Sequence, residues 1–147
     1  MPYYSLTDFV QVLEREGELK RITHPVKAEL EITEIADRVM KSDGPALLFE
    51  NVVGKQIPVL INAFGSAQRM ALALGVADIE ELARNIQKLI QTKPPKSFKD
   101  KLNLLGELIR LAGIPPKLVK EGACQEFVHR EPDLGILPVL TCWPDDA

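Results

Sequence analysis

Apolar residues Leu6, Phe9, Val10 and Leu13 recur at the spacing of one helix face. Ser5 and Asp8 precede them as a variant of the capping box, and Gly17 follows as a stop, so a helix is predicted there. Glu18 to Val26 reads as extended, and because Pro25 lacks a ladder donor it belongs at a sheet edge. Ile32, Ile35, Ala36, Val39 and Met40 then mark a second amphipathic helix, stopped by Asp43, Gly44 and Pro45. Ala46 to Val53 and Ile57 to Phe64 are nearly continuous apolar runs joined at Gly54 and Lys55, which predicts two adjacent buried strands.

Gly65 and Ser66 open a further helix carrying Ala67, Met70, Ala71 and Leu74, closed by Gly75. Asp78 and Glu81 open another, with Ile79, Leu82, Ala83, Ile86 and Ile90 on one face, barred by Pro94 and Pro95. Thr92 to Lys101 reads as an exposed linker, and a short helix is expected through Leu105, Leu108, Ile109 and Ala112. Beyond Pro116, Ala123–His129 and Ile136–Trp143 are short β-prone runs that end as if entering a turn. The fold class expected is α/β in the α+β sense, a mixed sheet packed with helices. One core is expected to unite Ile35, Phe49, Leu60 and Leu82. Residues 121–147, with Cys142 and Trp143, are expected to be the least stable part and to lean on partner chain.

Composition narrows the classes of function. The 147 residues, 46% hydrophobic and 27% charged, are those of a globular domain, and a net charge of −3 offers no field to hold a nucleic acid. No apolar stretch reaches the roughly 18 residues of a membrane span and no secretion signal is seen, which points to the cytoplasm.

Candidate chemistry is sparse. Cys124, Cys142 and His129 supply three zinc donors at most, without the paired spacing of a structural site, and two free thiols are the expectation. Gly65 and Ser66 at a helix start, with Arg69 one turn in, have two readings: an anion site on free N–H groups, or ordinary capping by Ser66. Glu29, Glu31, Glu34 and Asp37 lie on a polar helix face, where nothing desolvates a carboxylate for acid–base work. His24 and His129 stand beside no nucleophile.

Longer blocks carry a resemblance. Ser5-Leu6-Thr7-Asp8-Phe9 through Gly17-Glu18-Leu19, then Leu30-Glu31-Ile32-Thr33-Glu34-Ile35-Ala36-Asp37-Arg38, is similar to the opening of the UbiD decarboxylase family. Gly44 to Val52, Asn62-Ala63-Phe64-Gly65-Ser66 with Arg69, Leu72-Ala73-Leu74-Gly75, Pro94-Pro95-Lys96, Cys124-Gln125-Glu126 and Leu137 to Pro144 resemble its later blocks in order. The resemblance implies a reversible carboxy-lyase acting on aromatic or α,β-unsaturated acids, such as quinone precursors. Its cofactor would be prenylated FMN with a divalent metal, Mn or Mg, and potassium.

In that family a Glu-Arg-Glu network and the flavin and metal ligands follow the last matched block. No catalytic, cofactor-binding or metal residue is therefore assigned to this chain. The resemblance divides it into an N-terminal α/β domain, 1–113, and a connector, 114–147, with the first strands of a split-barrel flavin-binding domain. The expected partner is that central domain of its own chain, in a homo-oligomer when intact, with no nucleic acid and no membrane. The alternative is a stand-alone interaction module or the small subunit of a split decarboxylase.

Overall fold

A computed structural model describes residues 3–90, 118–122 and 125–146. Helix α1 (Leu6–Arg15) starts as its sequence demands: Ser5 Oγ accepts from the Asp8 N–H and the Asp8 carboxylate accepts from the Ser5 N–H, a complete capping box. Gly17, with φ of 74°, lets the chain turn back, and β1 (Leu19–Ile22) follows. Helix α2 (Glu31–Lys41) ends in a Schellman turn, in which the Gly44 N–H reaches Val39 O and the Asp43 N–H reaches Met40 O. Asp43 takes the left-handed position at φ of 53°, and Gly44 is needed because a Cβ there would lie 2.6 Å from Val39 Cγ1.

Strands β2 (Ala46–Phe49) and β3 (Val59–Ile61) complete a sheet of order β1-β2-β3, with β1 parallel and β3 antiparallel to β2. β1 occupies the edge expected of it. Helices α3 (Ala67–Leu74) and α4 (Ile79–Ile90) come next, and no helix among the described residues is long and apolar enough to cross a membrane. The fold is α+β, as the hydrophobic pattern predicts.

The core is two layers where one was expected. All four residues of β2 are buried, so each face needs its own cover. Leu47 and Phe49 point toward α2 and pack with Ile32, Val26, Val52 and Val59, with Ile35 partly buried against them. On the other face Ala46 packs with Phe9 and Leu13 of α1, and Leu60, Leu72 and Ala73 complete that layer. Strand alternation explains the correction: Val59 and Ile61 share the face of Phe49, while Leu60 points the other way. Leu82 is partly exposed and joins neither cluster, and Ile86 and Ile90 on the same helix face are exposed.

The chain divides into two compact units, Met1–Ala83 with Asp133–Ala147 and Arg84–Pro132. The expected linker and helix of residues 92–112, and the expected boundary at 113–114, lie outside the described residues. Neither β-prone run forms a ladder strand among the described residues. Leu134–Ile136 is a single 3-10 turn with Asp133 as its cap, and Thr141 makes one parallel bridge to Glu29. Leu140 packs against the α2-side cluster, so residues 133–146 are joined to the N-terminal unit, while Cys142 and Trp143 remain exposed.

At the rim, Arg21 ties three elements together. Its guanidinium meets Glu14 of α1 through Nε at 2.7 Å and Nη2 at 3.0 Å, and Glu50 after β2 through Nη1 at 2.5 Å. The Arg21 hydrogen bond holds the Glu14 carboxyl below the usual carboxylate range, against the opposing effect of desolvation. A depressed folded pKa gives stability that is present above the unfolded value and is lost as pH falls through the folded one. Glu14→Gln should flatten the acid limb of the stability curve and leave the most acidic points unchanged, by a small amount because the pair is at the surface. Urea unfolding across the acid range measures this. Phe49→Ala and Leu13→Ala should each cost about 2–5 kcal/mol. Because the two side chains lie on opposite faces of the sheet, the double variant should show the sum within about 0.5 kcal/mol.

Candidate functional site

Two places gather polar side chains against the fold. The first is the turn between β3 and α3. Ser66 is the N-cap of α3, and its Oγ accepts from the Arg69 N–H at 3.1 Å. Asn62 stands at a positive φ of 59° and its Nδ2 donates to the carbonyls of Gly44 and Pro45, at 3.3 and 3.1 Å. A Cβ on Gly65 would fall 1.8 Å from Asn62 Oδ1 and 3.1 Å from Arg69 Nη2, so only glycine admits this close approach.

Arg69 is 2% exposed, the buried charge of the described core. Its Nη1 lies 2.6 Å from Glu18 Oε2, a carboxylate at the start of β1, and the Glu18 carbonyl accepts from the Ala46 N–H at 2.9 Å. The pair therefore fastens α3 to the β1–β2 edge. Arg69 Nε is buried without a hydrogen-bond partner among the described residues. A guanidinium sealed in this way and neutralised by Glu18 presents no face to an anion, and the Ser66 hydroxyl is already engaged. Of the two readings of Gly65, Ser66 and Arg69, the geometry favours capping and core fastening. Nothing in the spacing of Glu18 and Arg69 marks them as a pair.

The second place is an open groove of about 620 Å³. One wall is the α2 face with Thr33, Met40 and Lys41, the floor includes Ile61 and Asn62, and the other wall is Cys142, Trp143 and Pro144. Its size is that of a small-molecule site. The carboxylates on its rim are matched by cations one turn away: Glu34 meets Arg38 at 2.5 Å and Asp37 meets Lys41 at 2.6 Å. The hydrogen bond that the Lys41 ammonium donates to Asp37 raises the Lys41 pKa, which keeps that ammonium charged. Glu31 Oε2 accepts from the Lys27 N–H at 2.8 Å. Each acidic side chain of α2 thus has a partner nearby.

The remaining candidates do not converge. His24 and His129 are exposed, Cys142 is an exposed free thiol, and Cys124 lies outside the described residues. Among the described residues no three His, Cys, Asp or Glu side chains are grouped to hold a metal ion.

Comparison with known proteins gives this architecture its class. The profile of the 3-octaprenyl-4-hydroxybenzoate carboxy-lyase N-terminal domain matches residues 10–89. The closed form of vanillic acid decarboxylase from Sedimentibacter hydroxybenzoicus is similar over 90% of this chain and 25% of its own, at 30% identity and a TM-score of 0.59. An evolved dimeric form of the UbiD-class enzyme HmfF from Pelotomaculum thermopropionicum, in complex with prFMN, is similar over 63% of this chain and 21% of its own, at 27% identity and a TM-score of 0.52. The fold is that of a UbiD-class N-terminal domain. The chain belongs to the UbiD family of carboxy-lyases, and it spans about a quarter or less of the length of these solved relatives.

Arg69→Met should destabilise the chain by about 3 kcal/mol, the low end for stranding one member of a buried pair, because Glu18 keeps some contact with solvent. Adding Glu18→Gln should recover part of that loss. Urea unfolding of the single and double variants measures both, and a single variant as stable as the parent would contradict the fastening role.

Proposed function

We propose that this chain is the N-terminal portion of a prenylated-FMN-dependent, reversible decarboxylase of aromatic or α,β-unsaturated carboxylic acids. It supplies packing surface to that enzyme and none of the reacting groups. The observation that carries the reading is the alignment of 90% of this chain with only 25% of a vanillic acid decarboxylase. The prFMN bound in the HmfF structure supports the cofactor.

In this reading the partner is the central flavin-binding domain of the same enzyme, reached through the connector 114–147, in a homo-oligomer. Prenylated FMN, the divalent metal and potassium bind in that domain. The flavin supplies the electron sink for loss of carbon dioxide. Residues of this chain support one side of the cleft through the two-layer core, with Arg69 and Glu18 holding α3 on the sheet. A cytoplasmic location and an aromatic quinone precursor as substrate belong to the same reading.

Titration of the purified chain with FMN and with prenylated FMN, followed by flavin fluorescence, should show no saturable change. Exchanged for the N-terminal domain of HmfF, the chain should support prFMN-dependent release of carbon dioxide. Saturable flavin binding by the chain alone, or an inactive but folded and flavin-loaded chimera, would overturn the division of labour.

A further inference from the structure

Residues 133–146 return to the N-terminal unit at one point of unusual backbone. The Thr141 carbonyl accepts from the Leu30 N–H at 3.0 Å and from Thr33 Oγ1 at 3.3 Å, and the Thr141 N–H donates to Ala28 O at 3.3 Å. Farther up the segment Lys55 Nζ donates to the Gly135 carbonyl, and Leu140 packs on the α2-side cluster.

The receiving turn is strained. Leu30 has φ of 63° and ψ of −33°, and the Glu31 N–H reaches Glu29 O at 2.7 Å, which makes residues 29–31 a γ-turn of the rare hand. A leucine Cβ is crowded in that hand, and no side chain caps α2 to offset it. Such a conformation persists only where its surroundings over-determine it. Here the contacts that do so include those of Thr141.

The same segment builds half of the groove. Cys142, Trp143 and Pro144 form the wall opposite α2, and their turn is tied by the Cys142 N–H to Asp146 Oδ2 at 3.1 Å. Lifting Thr141 from Leu30 would carry that wall away. We propose that residues 133–146 are a reversible strap, latched by Thr141 on the strained turn at Leu30, and that closing the strap forms the groove beside α2.

Opening breaks the Thr141 hydrogen bonds but frees the strained turn, and the two effects oppose each other. The strap therefore opens more readily than the β2–β3 ladder unfolds.

Native-state amide exchange on the 147-residue chain tests it. The Leu30 and Thr141 amides bond across the latch, so they should exchange together, about tenfold or more faster than the amides of β2. Leu30→Gly removes the crowding in the closed state and should slow exchange at positions 30 and 141 by about fivefold. Thr141→Pro removes the donor to Ala28. It should speed exchange at Leu30 by about tenfold and shift the emission of Trp143, the one tryptophan, while β2 stays protected. Exchange of Leu30 and Thr141 only in step with β2, or at rates unlike each other, would overturn the strap. Should Thr141→Pro fail to fold, unchanged exchange at position 141 in Leu30→Gly would overturn it equally.

Discussion

A strand with no exposed face organises this molecule. Every residue of Ala46–Phe49 is buried, and a strand points successive side chains to opposite sides, so the sheet must be covered twice. Helix α2 covers the face of Leu47 and Phe49, while α1 and α3 cover that of Ala46. The two end motifs at Gly17 and Gly44 serve this need, since each returns the chain from a covering helix to the sheet within a few residues. Phe49, wholly buried, is among the largest of the side chains that fill the α2 layer.

Charge enters this apolar arrangement at few places. Arg69 is buried and Glu18 half-buried, so their attraction is only partly screened, and burial of the guanidinium carries a desolvation cost that a hydrophobic pair would avoid. What the pair adds is position: it ties α3 to the Glu18 end of β1. Arg21 joins α1 to the ends of β1 and β2 in a similar way at the surface, where solvent weakens the bond. Arg69, Glu18, Arg21, Glu14 and Glu50 are thus engaged in holding elements together. The groove between α2 and Trp143 is a feature that packing alone does not explain.

Much of this was legible in the linear pattern. The capping box at Ser5 and Asp8, the periodic stripes of α1 to α4, the edge position of β1 and the family blocks depend on neighbours within a few residues, and local spacing encodes them. The continuous apolar runs of β2 and β3 conveyed burial but not which face each residue takes, because alternation is invisible where both faces are apolar. Apolar runs alone therefore place Leu60 with Phe49, and an apolar helix face alone places Leu82 in a core that it does not join. The β-prone run before Trp143 likewise has the composition of a strand, yet it finds only a single bridge at Thr141.

By itself the sequence determined the order of elements from α1 to α4, the limits of those helices and the membership of the UbiD family. Tertiary structure alone decided that Arg69 meets Glu18, that Thr141 meets Leu30, and that a groove opens between α2 and Trp143. Those contacts join residues far apart in the chain, and their partners are selected by how layers pack on a doubly buried strand. No local spacing records that choice.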